Sequence, residues 1–143
     1  MLYRCNDKFV SIEQEIGLIE NYLVLEKVRY DERVKISFEK ELNQSVKIAP
    51  LLLLTFVENA FKHGVSQELN EAFISIKIIA EEDSILFTIQ NSKAKNPVEK
   101  GGKQAIGLEN VRKQLELLYA ENYSLQIEDG KETYEVSLKL KSK

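Results

Sequence analysis

The apolar positions near the start of the chain predict a helix over residues 11–30. Ser11 is followed three positions later by Gln14, which is the spacing of a capping box. Four apolar residues then recur at helical spacing: Ile12, Ile16, Ile19 and Leu23. One face of this helix is therefore expected to lie in a core.

Two further segments have a helical pattern. The second helix is expected to begin near Pro50, because the fixed φ of proline suits a first helical position. Gly64 is a natural C-terminal stop for it. The third helix is expected over about 106–120. Its inward positions are predicted to be Ile106, Val111, Leu115 and Leu118.

Alternation of apolar and polar residues predicts five strands. The first is VKISFEK (34–40). The segments 73–80 and 84–91 are expected to pair as a hairpin around an acidic turn, and 123–129 and 133–141 close the chain as two more strands. The residues predicted to share a face are Ile74, Ile76 and Ile78 on one hairpin strand, and Ile85, Phe87 and Ile89 on the other.

Residues 92–104 contain lysine, glycine and proline with almost no apolar side chain, which predicts a mobile loop. The order is thus helix, strand, helix, two strands, loop, helix, two strands. Adjacent strand pairs with intervening helices favour an α+β fold, a two-layer sandwich with a mixed, mostly antiparallel sheet and helices on one face. An alternating parallel β-α-β sheet fits this order poorly.

Composition adds limits to this picture. The 143 residues suit one compact domain, and the net charge of −3 gives no electrostatic footprint for nucleic-acid binding. The single cysteine, Cys5, excludes an internal disulfide framework and suits a reducing compartment. No apolar run is long enough to cross a bilayer, and the N-terminus does not resemble a signal peptide. Because the chain starts on what reads as a helical tail, we expect it to be part of a longer protein.

The predicted second helix turns polar at its C-terminal end. At 100° per residue, five side chains fall within a stripe of roughly 140°: Thr55, Glu58, Asn59, Lys62 and His63. The opposite side is apolar and is expected to pack on the sheet: Leu53, Leu54, Val57, Ala60 and Phe61. Taken alone, the polar stripe is most simply the solvated face of an amphipathic helix.

The chemistry of the stripe allows a second interpretation. Asn59 offers an uncharged carbonyl oxygen, a hard ligand suited to Mg²⁺, and the negative end of the helix favours a cation nearby. Lys62 adds a point charge that can neutralise phosphate oxygens. Farther along, Gly101, Gly102 and Gly107 let backbone amides approach a ligand, next to a helix N-terminus expected near residue 106. One helix end favours a metal and the other favours phosphate, which together predict a pocket for Mg²⁺ and a nucleotide.

Three ordered segments resemble a known family. VENAFKHG (57–64) resembles the N box of sensor histidine kinases, and AIGLENVRKQLELLY (105–119) resembles their second glycine box. YLVLEKVRYDERV (22–34) is similar to the end of the dimerisation region in kinases of the LytS/YehU type. The resemblance covers about residues 11–140 and implies the ATP-binding sandwich of the GHKL superfamily, which gyrase and mismatch-repair ATPases share.

The resemblance implies roles for the polar stripe. Asn59 matches the magnesium-binding amide of the N box, and Lys62 and His63 match positions that face the nucleotide phosphates. Glu58 stands where an acidic residue orients water or assists proton transfer. The implied cofactors are therefore ATP and Mg²⁺, with Glu58 and Asn59 as the catalytic candidates.

The family resemblance also implies an ATP lid over about 92–105, with Gly107 and Leu108 beside the triphosphate. In the family, an aspartate after the strand accepts a hydrogen bond from the adenine amino group. Gln90 aligns best with that aspartate, and Asn91 is the neighbouring candidate. Two glycine positions of the second box are Lys103 and Ala105 here, and Gly101 and Gly102 are candidates to compensate.

The domain prediction is an end of a dimerisation helix over 1–32 and an ATP-binding catalytic domain over 33–143. His63, the single histidine, belongs to the N box, so the phosphoaccepting histidine is expected upstream of this sequence. The implied partners are upstream dimerisation helices, a response regulator and a second copy in a homodimer, in the cytoplasmic part of an inner-membrane sensor. Two alternatives stay open: a degenerate GHKL interaction module without nucleotide, and a serine protein kinase of the same fold, which the match at 22–34 disfavours.

Overall fold

A computed structural model describes residues 9–63, 71–93 and 102–141 of the chain. The helices in these ranges are α1 (Ile12–Tyr30), α2 (Leu52–His63) and α3 (Gly102–Tyr119), with a 3-10 turn at Asp31–Arg33 after α1. The strands are β1 (Val10–Ser11), β2 (Val34–Leu42), β3 (Lys47–Ile48), β4 (Ala72–Ala80), β5 (Ser84–Ser92), β6 (Tyr123–Asp129) and β7 (Thr133–Lys141).

The five long strands form one sheet in the order β2-β4-β5-β7-β6. The β2–β4 pair is parallel, because α2 carries the chain across between the two strands, and the other three pairs are antiparallel. The short strands β1 and β3 pair separately. The predicted α+β fold with a mixed, mostly antiparallel sheet is confirmed.

Alternate residues of the central strands face a single core, as predicted. Each residue assigned to the inner face of the β4–β5 hairpin is buried: Ile74, Ile76, Ile78, Ile85, Phe87 and Ile89. On β7, Val136, Leu138 and Leu140 continue this face. The α2 helix covers it, with the rings of Phe56 and Phe87 5.8 Å apart.

The α1 helix packs into the same core through the predicted residues Ile12, Ile16, Ile19 and Leu23. It begins as expected, since the hydroxyl oxygen of Ser11 accepts a hydrogen bond from the Gln14 backbone N–H (3.1 Å). The opposite side of α1 exposes apolar residues: Leu18, Val24, Leu25 and Val28.

The α2 helix starts two residues later than predicted. Pro50 and Leu51 form a turn before it, and Leu51 has a φ of 66°. The first helical residue is Leu52. The helix ends at His63 as expected, and the predicted stop at Gly64 lies outside the described residues.

The α3 helix starts at Gly102, four residues before the predicted start near Ile106. The glycine pair indicated a loop, but the second glycine of the pair is the first residue of the helix. The predicted loop 92–104 is shortened at both ends, because Ser92 belongs to β5 and residues 102–104 belong to α3. Val111 and Leu115 are buried as predicted, and Leu118 is half-buried. The side chain of Ile106 lies outside the described part.

Within the described ranges, none of the helices combines the length and the apolar character that a membrane span requires.

Candidate functional site

The polar stripe of α2 lies at the edge of the core. Thr55, Glu58 and Asn59 are half-buried and Lys62 is exposed, so the stripe borders solvent while the helix behind it is packed. His63 ends the helix, and its side chain lies outside the described residues. The opposite side matches the prediction at Leu53, Val57, Ala60 and Phe61, which are buried, whereas Leu54 is half-buried.

Thr55 has a local role. Its hydroxyl donates a hydrogen bond to the Leu51 carbonyl oxygen one turn earlier (2.7 Å), which also accepts the Thr55 backbone N–H (3.1 Å). This pattern closes the first turn of α2. The other described side chains of the stripe, at the solvent border, are Glu58, Asn59 and Lys62.

The N-terminus of α2 is capped by a side chain from α1. The carboxylate of Glu15, which is fully buried, accepts hydrogen bonds from the backbone N–H groups of Leu51 (2.8 Å) and Leu54 (3.1 Å). Burial raises the pKa of Glu15 above its usual range, and the backbone hydrogen bonds partly oppose that rise. Helix α1 thus fixes where the stripe-bearing helix begins.

The α3 helix packs against α2 and begins at Gly102. Gly102 is its first residue and Gly107 lies in its second turn, so the unpaired amides of the helix start belong to residues around 102–105. Leu108 is half-buried and packs against the core. Gly101 lies outside the described residues.

The two adenine-contact candidates lie on opposite faces of the sheet. Asn91 shares the inner face with Ile89 and is 3% exposed. Its Nδ2 donates a hydrogen bond to the Ser92 carbonyl oxygen (2.8 Å). Gln90 is half-buried on the outer face, paired in register with Ser75 and Glu135. The helices cover the face that holds Asn91.

The strand end next to Asn91 is fixed by Lys93. Its Nζ forms an ion pair with Asp129 and donates a hydrogen bond to the Gly130 carbonyl oxygen (2.8 Å). Its backbone N–H donates to the Glu132 carbonyl oxygen (2.9 Å). The β6–β7 turn therefore anchors the chain immediately before residues 94–101.

A separate groove of about 380 Å³ lies at the other end of the sheet, between the starts of β5 and β6 and the end of β7. Ser84, Tyr123 and Lys139 are among its lining residues. Ser84 is seven residues from Asn91, which is roughly 23 Å along a strand. The groove is therefore distinct from the candidate site. No cluster of three or more potential metal-ligating His, Cys, Asp or Glu side chains occurs among the described residues, so an ion at Asn59 would need ligands from water and phosphate.

Sequence reasoning missed four residues around this site: Glu15, Tyr22, Glu26 and Tyr119. Glu15 and Glu26 are acids at buried helical positions, three residues after Ile12 and Leu23 respectively. That spacing places them on the apolar face of α1, so the sequence pattern alone could have predicted two buried acids on this helix.

Known proteins are similar to this chain in sequence. No protein-family model matches the chain. The sensor histidine kinase BtsS of Escherichia coli K12 is 29% identical over 130 residues, which covers 89% of this chain and 23% of BtsS. The sensor protein LytS of Staphylococcus saprophyticus is 27% identical over 140 residues, covering 90% of this chain and 24% of LytS. The chain thus spans about a quarter of the length of these relatives.

Solved structures share the fold. The nucleotide-free catalytic domain of the histidine kinase ThkA superposes with a TM-score of 0.68 at 13% identity, covering 94% of this chain and 98% of that one. ThkA solved in complex with the response regulator TrrA superposes with a TM-score of 0.60 at 15% identity, over 94% of this chain and 42% of that one. The fold is that of a histidine kinase catalytic domain.

The chain is similar in sequence to sensor histidine kinases such as BtsS, LytS and YesM. The resemblance predicted from the N box and the glycine box is confirmed. Sequence relatives and fold together support a histidine kinase ATPase domain.

Proposed function

We propose that this chain is the ATP-binding catalytic domain of a sensor histidine kinase, and that it transfers the γ-phosphoryl group of ATP to a histidine located upstream of this sequence. One arrangement carries the proposal. Asn59 and Lys62 project from the last turns of α2, and α3, which packs against α2, begins at Gly102. A metal-binding amide, a phosphate-binding cation and a helix N-terminus therefore belong to two helices in contact.

The residues present fit ATP and Mg²⁺. The half-buried amide of Asn59 supplies a neutral oxygen for Mg²⁺, and the exposed Lys62 can approach phosphate oxygens. The backbone amides that begin α3 suit an anion. His63, Gly101 and Gly107 are assigned to the phosphate side by the same motifs. When bound, Mg²⁺ neutralises charge on the transferred group, and Glu58 is the candidate to orient the attacking group.

Asn91 is the residue we assign to adenine. It lies on the inner face of β5, and its amide already donates to the Ser92 carbonyl oxygen, so the amide oxygen is the group that can accept a hydrogen bond from the adenine amino group. Gln90, on the outer face, is assigned no contact with the base. The lid that closes over the nucleotide is assigned to the segment between β5 and α3, with Lys93 fixing its first end.

The exposed apolar stripe of α1 supports a contact with upstream dimerisation helices. Leu25 is 68% exposed and Val28 is 79% exposed, on the side of α1 that faces away from the core. We therefore propose that the outer side of α1 contacts the dimerisation region, while its inner side packs on the catalytic core. The domain boundary near residue 32 stays a prediction. We further propose that the whole protein is a homodimeric inner-membrane sensor that phosphorylates a response regulator. This domain would lie on its cytoplasmic side.

Titration of the purified chain with ATP, with and without Mg²⁺, tests this function. Binding of Mg²⁺–ATP should weaken by at least about tenfold in Asn59→Ala, since a metal ligand contributes more than one ordinary hydrogen bond. Asn21→Ala, an exposed asparagine on α1, is the matched control and should bind like the parent. Supplying a separate fragment that carries the acceptor histidine should yield phosphohistidine.

The same titration distinguishes the alternatives. An absence of ATP binding at millimolar concentration would favour an interaction module that uses the fold without nucleotide. ATP binding with transfer to serine rather than histidine would favour a serine protein kinase of this fold.

A further inference from the structure

The last turn of α2 packs against α1 through the ring of Phe61. This side chain is 1% exposed, and it contacts two tyrosine rings of α1. Tyr22 meets it edge-to-face, with centroids 5.6 Å apart and an interplanar angle of 76°. Tyr30 stacks on it, with centroids 6.2 Å apart and an angle of 24°. Phe61 is therefore contacted by two residues that lie about two helical turns apart on α1; we call these three rings the aromatic cluster.

Tyr30 is itself restrained at the end of α1. It is buried, and the guanidinium groups of Arg29 and Arg33 lie over its ring, with each Cζ 5.6 Å and 5.1 Å from the ring centroid, respectively. A cation over an aromatic face is attracted by the electron density of the ring. These contacts restrict the Tyr30 ring to the position in which it stacks on Phe61.

The two ends of α2 are attached to α1 by different contacts. At the start, the Glu15 carboxylate accepts hydrogen bonds from the backbone N–H groups of Leu51 (2.8 Å) and Leu54 (3.1 Å). At the end, Phe61 contacts the two tyrosine rings. The two helices therefore run side by side in the same direction. Because α2 is attached near both ends, α1 fixes the direction of α2 and its rotation about its own axis.

The rotation of α2 decides where its polar stripe points. Successive residues of a helix are about 100° apart, so Asn59 lies about 160° around the axis from Phe61, and Lys62 lies about 100° from it. With the ring of Phe61 on α1, Asn59 is on the side of α2 away from α1. A long, flexible lysine side chain can compensate for a small rotation of the last turn, whereas the short side chain of an asparagine cannot. Asn59 therefore depends more than Lys62 on how Phe61 is held.

We propose that Tyr22, Tyr30 and Phe61 are positioning residues for the metal contact of Asn59. Their rings hold the last turn of α2 at the rotation in which the Asn59 amide oxygen reaches Mg²⁺. This inference rests on the proposed function, which assigns the metal to Asn59. The three rings act through α2 and make no contact with the nucleotide themselves.

The gain in ATP affinity caused by Mg²⁺ tests the inference. It is measured by titration as the ratio of the Kd for ATP in EDTA to the Kd with Mg²⁺. Phe61→Leu and Tyr22→Leu should each lower this ratio about tenfold, the lower end of what the loss of a ligand-orienting residue costs a metal site. The Kd in EDTA should stay within about threefold, because the adenine contact is assigned to β5. Tyr22→Phe, which keeps the ring, should have the ratio of the parent.

Phe87→Leu is the matched control for loss of a core ring. Phe87 is fully buried on β5, and its ring contacts Phe56 on the sheet side of α2, with centroids 5.8 Å apart. The substitution should therefore lower stability while leaving the contact between α1 and Phe61 intact, so the Mg²⁺ ratio should match that of the parent. Circular dichroism identifies a temperature at which every variant is folded, and all titrations are made there.

Three results would overturn the inference while the proposed function stands, since the parent binds Mg²⁺–ATP in each. One is an unchanged ratio in Phe61→Leu and Tyr22→Leu. Another is an equal loss in Phe87→Leu, and the third is a Tyr22→Phe variant as impaired as Tyr22→Leu. A parent that does not bind Mg²⁺–ATP marks the failure of the proposed function instead, and the inference fails with it.

Discussion

The hydroxyl oxygen of Tyr119 accepts a hydrogen bond from the backbone N–H of Ala49, with 3.0 Å between the two atoms. Tyr119 is the last residue of α3, and Ala49 directly follows β3, just before the turn into α2. Both residues are buried. The C-terminal end of one site helix is thereby attached to the segment that starts the other, while their opposite ends carry the candidate ligand groups.

Tyr119→Phe should lower the free energy of unfolding by about 1–3 kcal/mol, because it leaves the buried Ala49 N–H without its acceptor. Urea unfolding measures the change. Tyr123→Phe is the matched control, since that hydroxyl donates to Glu116 in an exposed pair (2.6 Å) and should contribute less than about 1 kcal/mol. Equal effects of the two substitutions would contradict the structural role of Tyr119.

Glu15→Ala should lower the free energy of unfolding by about 2–4 kcal/mol, because it removes the cap of α2 and leaves a cavity. Glu15→Gln should cost less, since the amide oxygen still accepts one backbone N–H and no buried charge remains. Thermal or urea unfolding of the three proteins gives the comparison. A loss in Glu15→Gln as large as in Glu15→Ala would show that the charge itself is required.

The contribution of Glu15 should also depend on pH. Its pKa is raised in the folded protein, so the folded state holds the proton more tightly than the unfolded chain. Its stabilising contribution is therefore complete below the ordinary pKa of glutamate and is lost as the pH rises through the raised value. The parent should lose stability relative to Glu15→Gln as the pH is raised from about 4.5. A difference that grows in the opposite direction would contradict the pKa shift.

Asn91→Ala should weaken ATP binding by about tenfold, the value of one hydrogen bond of roughly 1.4 kcal/mol. Gln90→Ala is the internal control, because Gln90 lies on the other face of the sheet and should bind ATP within about twofold of the parent. Isothermal titration with Mg²⁺–ATP measures both. A larger loss of ATP affinity in Gln90→Ala than in Asn91→Ala would contradict this assignment and favour Gln90 as the residue that contacts adenine.

The double variant Leu25→Gln/Val28→Gln should change the free energy of unfolding by less than about 1 kcal/mol, because both residues are exposed. It should nevertheless reduce phosphoryl transfer to a fragment that carries the dimerisation helices, while Mg²⁺–ATP binding stays unchanged. Leu117→Gln on α3, where the leucine is 84% exposed, controls for loss of an exposed apolar residue. Unchanged transfer in the double variant would exclude this side of α1 as the docking surface.

Local pattern determined much of the fold. The predicted inner-face residues of β4 and β5 are all buried, because alternation over eight or nine positions leaves one apolar face that must be buried. The bounds of α1 were also correct within one residue, since a capping serine and a regular apolar spacing mark its start. The two short strands β1 and β3 were missed, because two residues are too few to show a period.

The errors in helix bounds have tertiary causes. Pro50 suits a helix start, but Glu15 from α1 caps the backbone at Leu51 and Leu54, which sets the start at Leu52. Glycines at 101–102 indicated a loop, yet α3, a helix that packs against α2, begins at Gly102.

For the candidate site, the sequence by itself determined which side chains share the polar stripe, because helical spacing fixes the face on which each residue lies. The N-box motif supplied the candidate role of each of these side chains. Tertiary structure alone decided which partners they meet. Asn91 and Gln90 are adjacent in sequence, but the pleat of the sheet sends only Asn91 to the helix-covered face. Tyr22 and Phe61 are 39 positions apart, and their rings meet because α1 and α2 pack on the same core, a contact that no local spacing encodes.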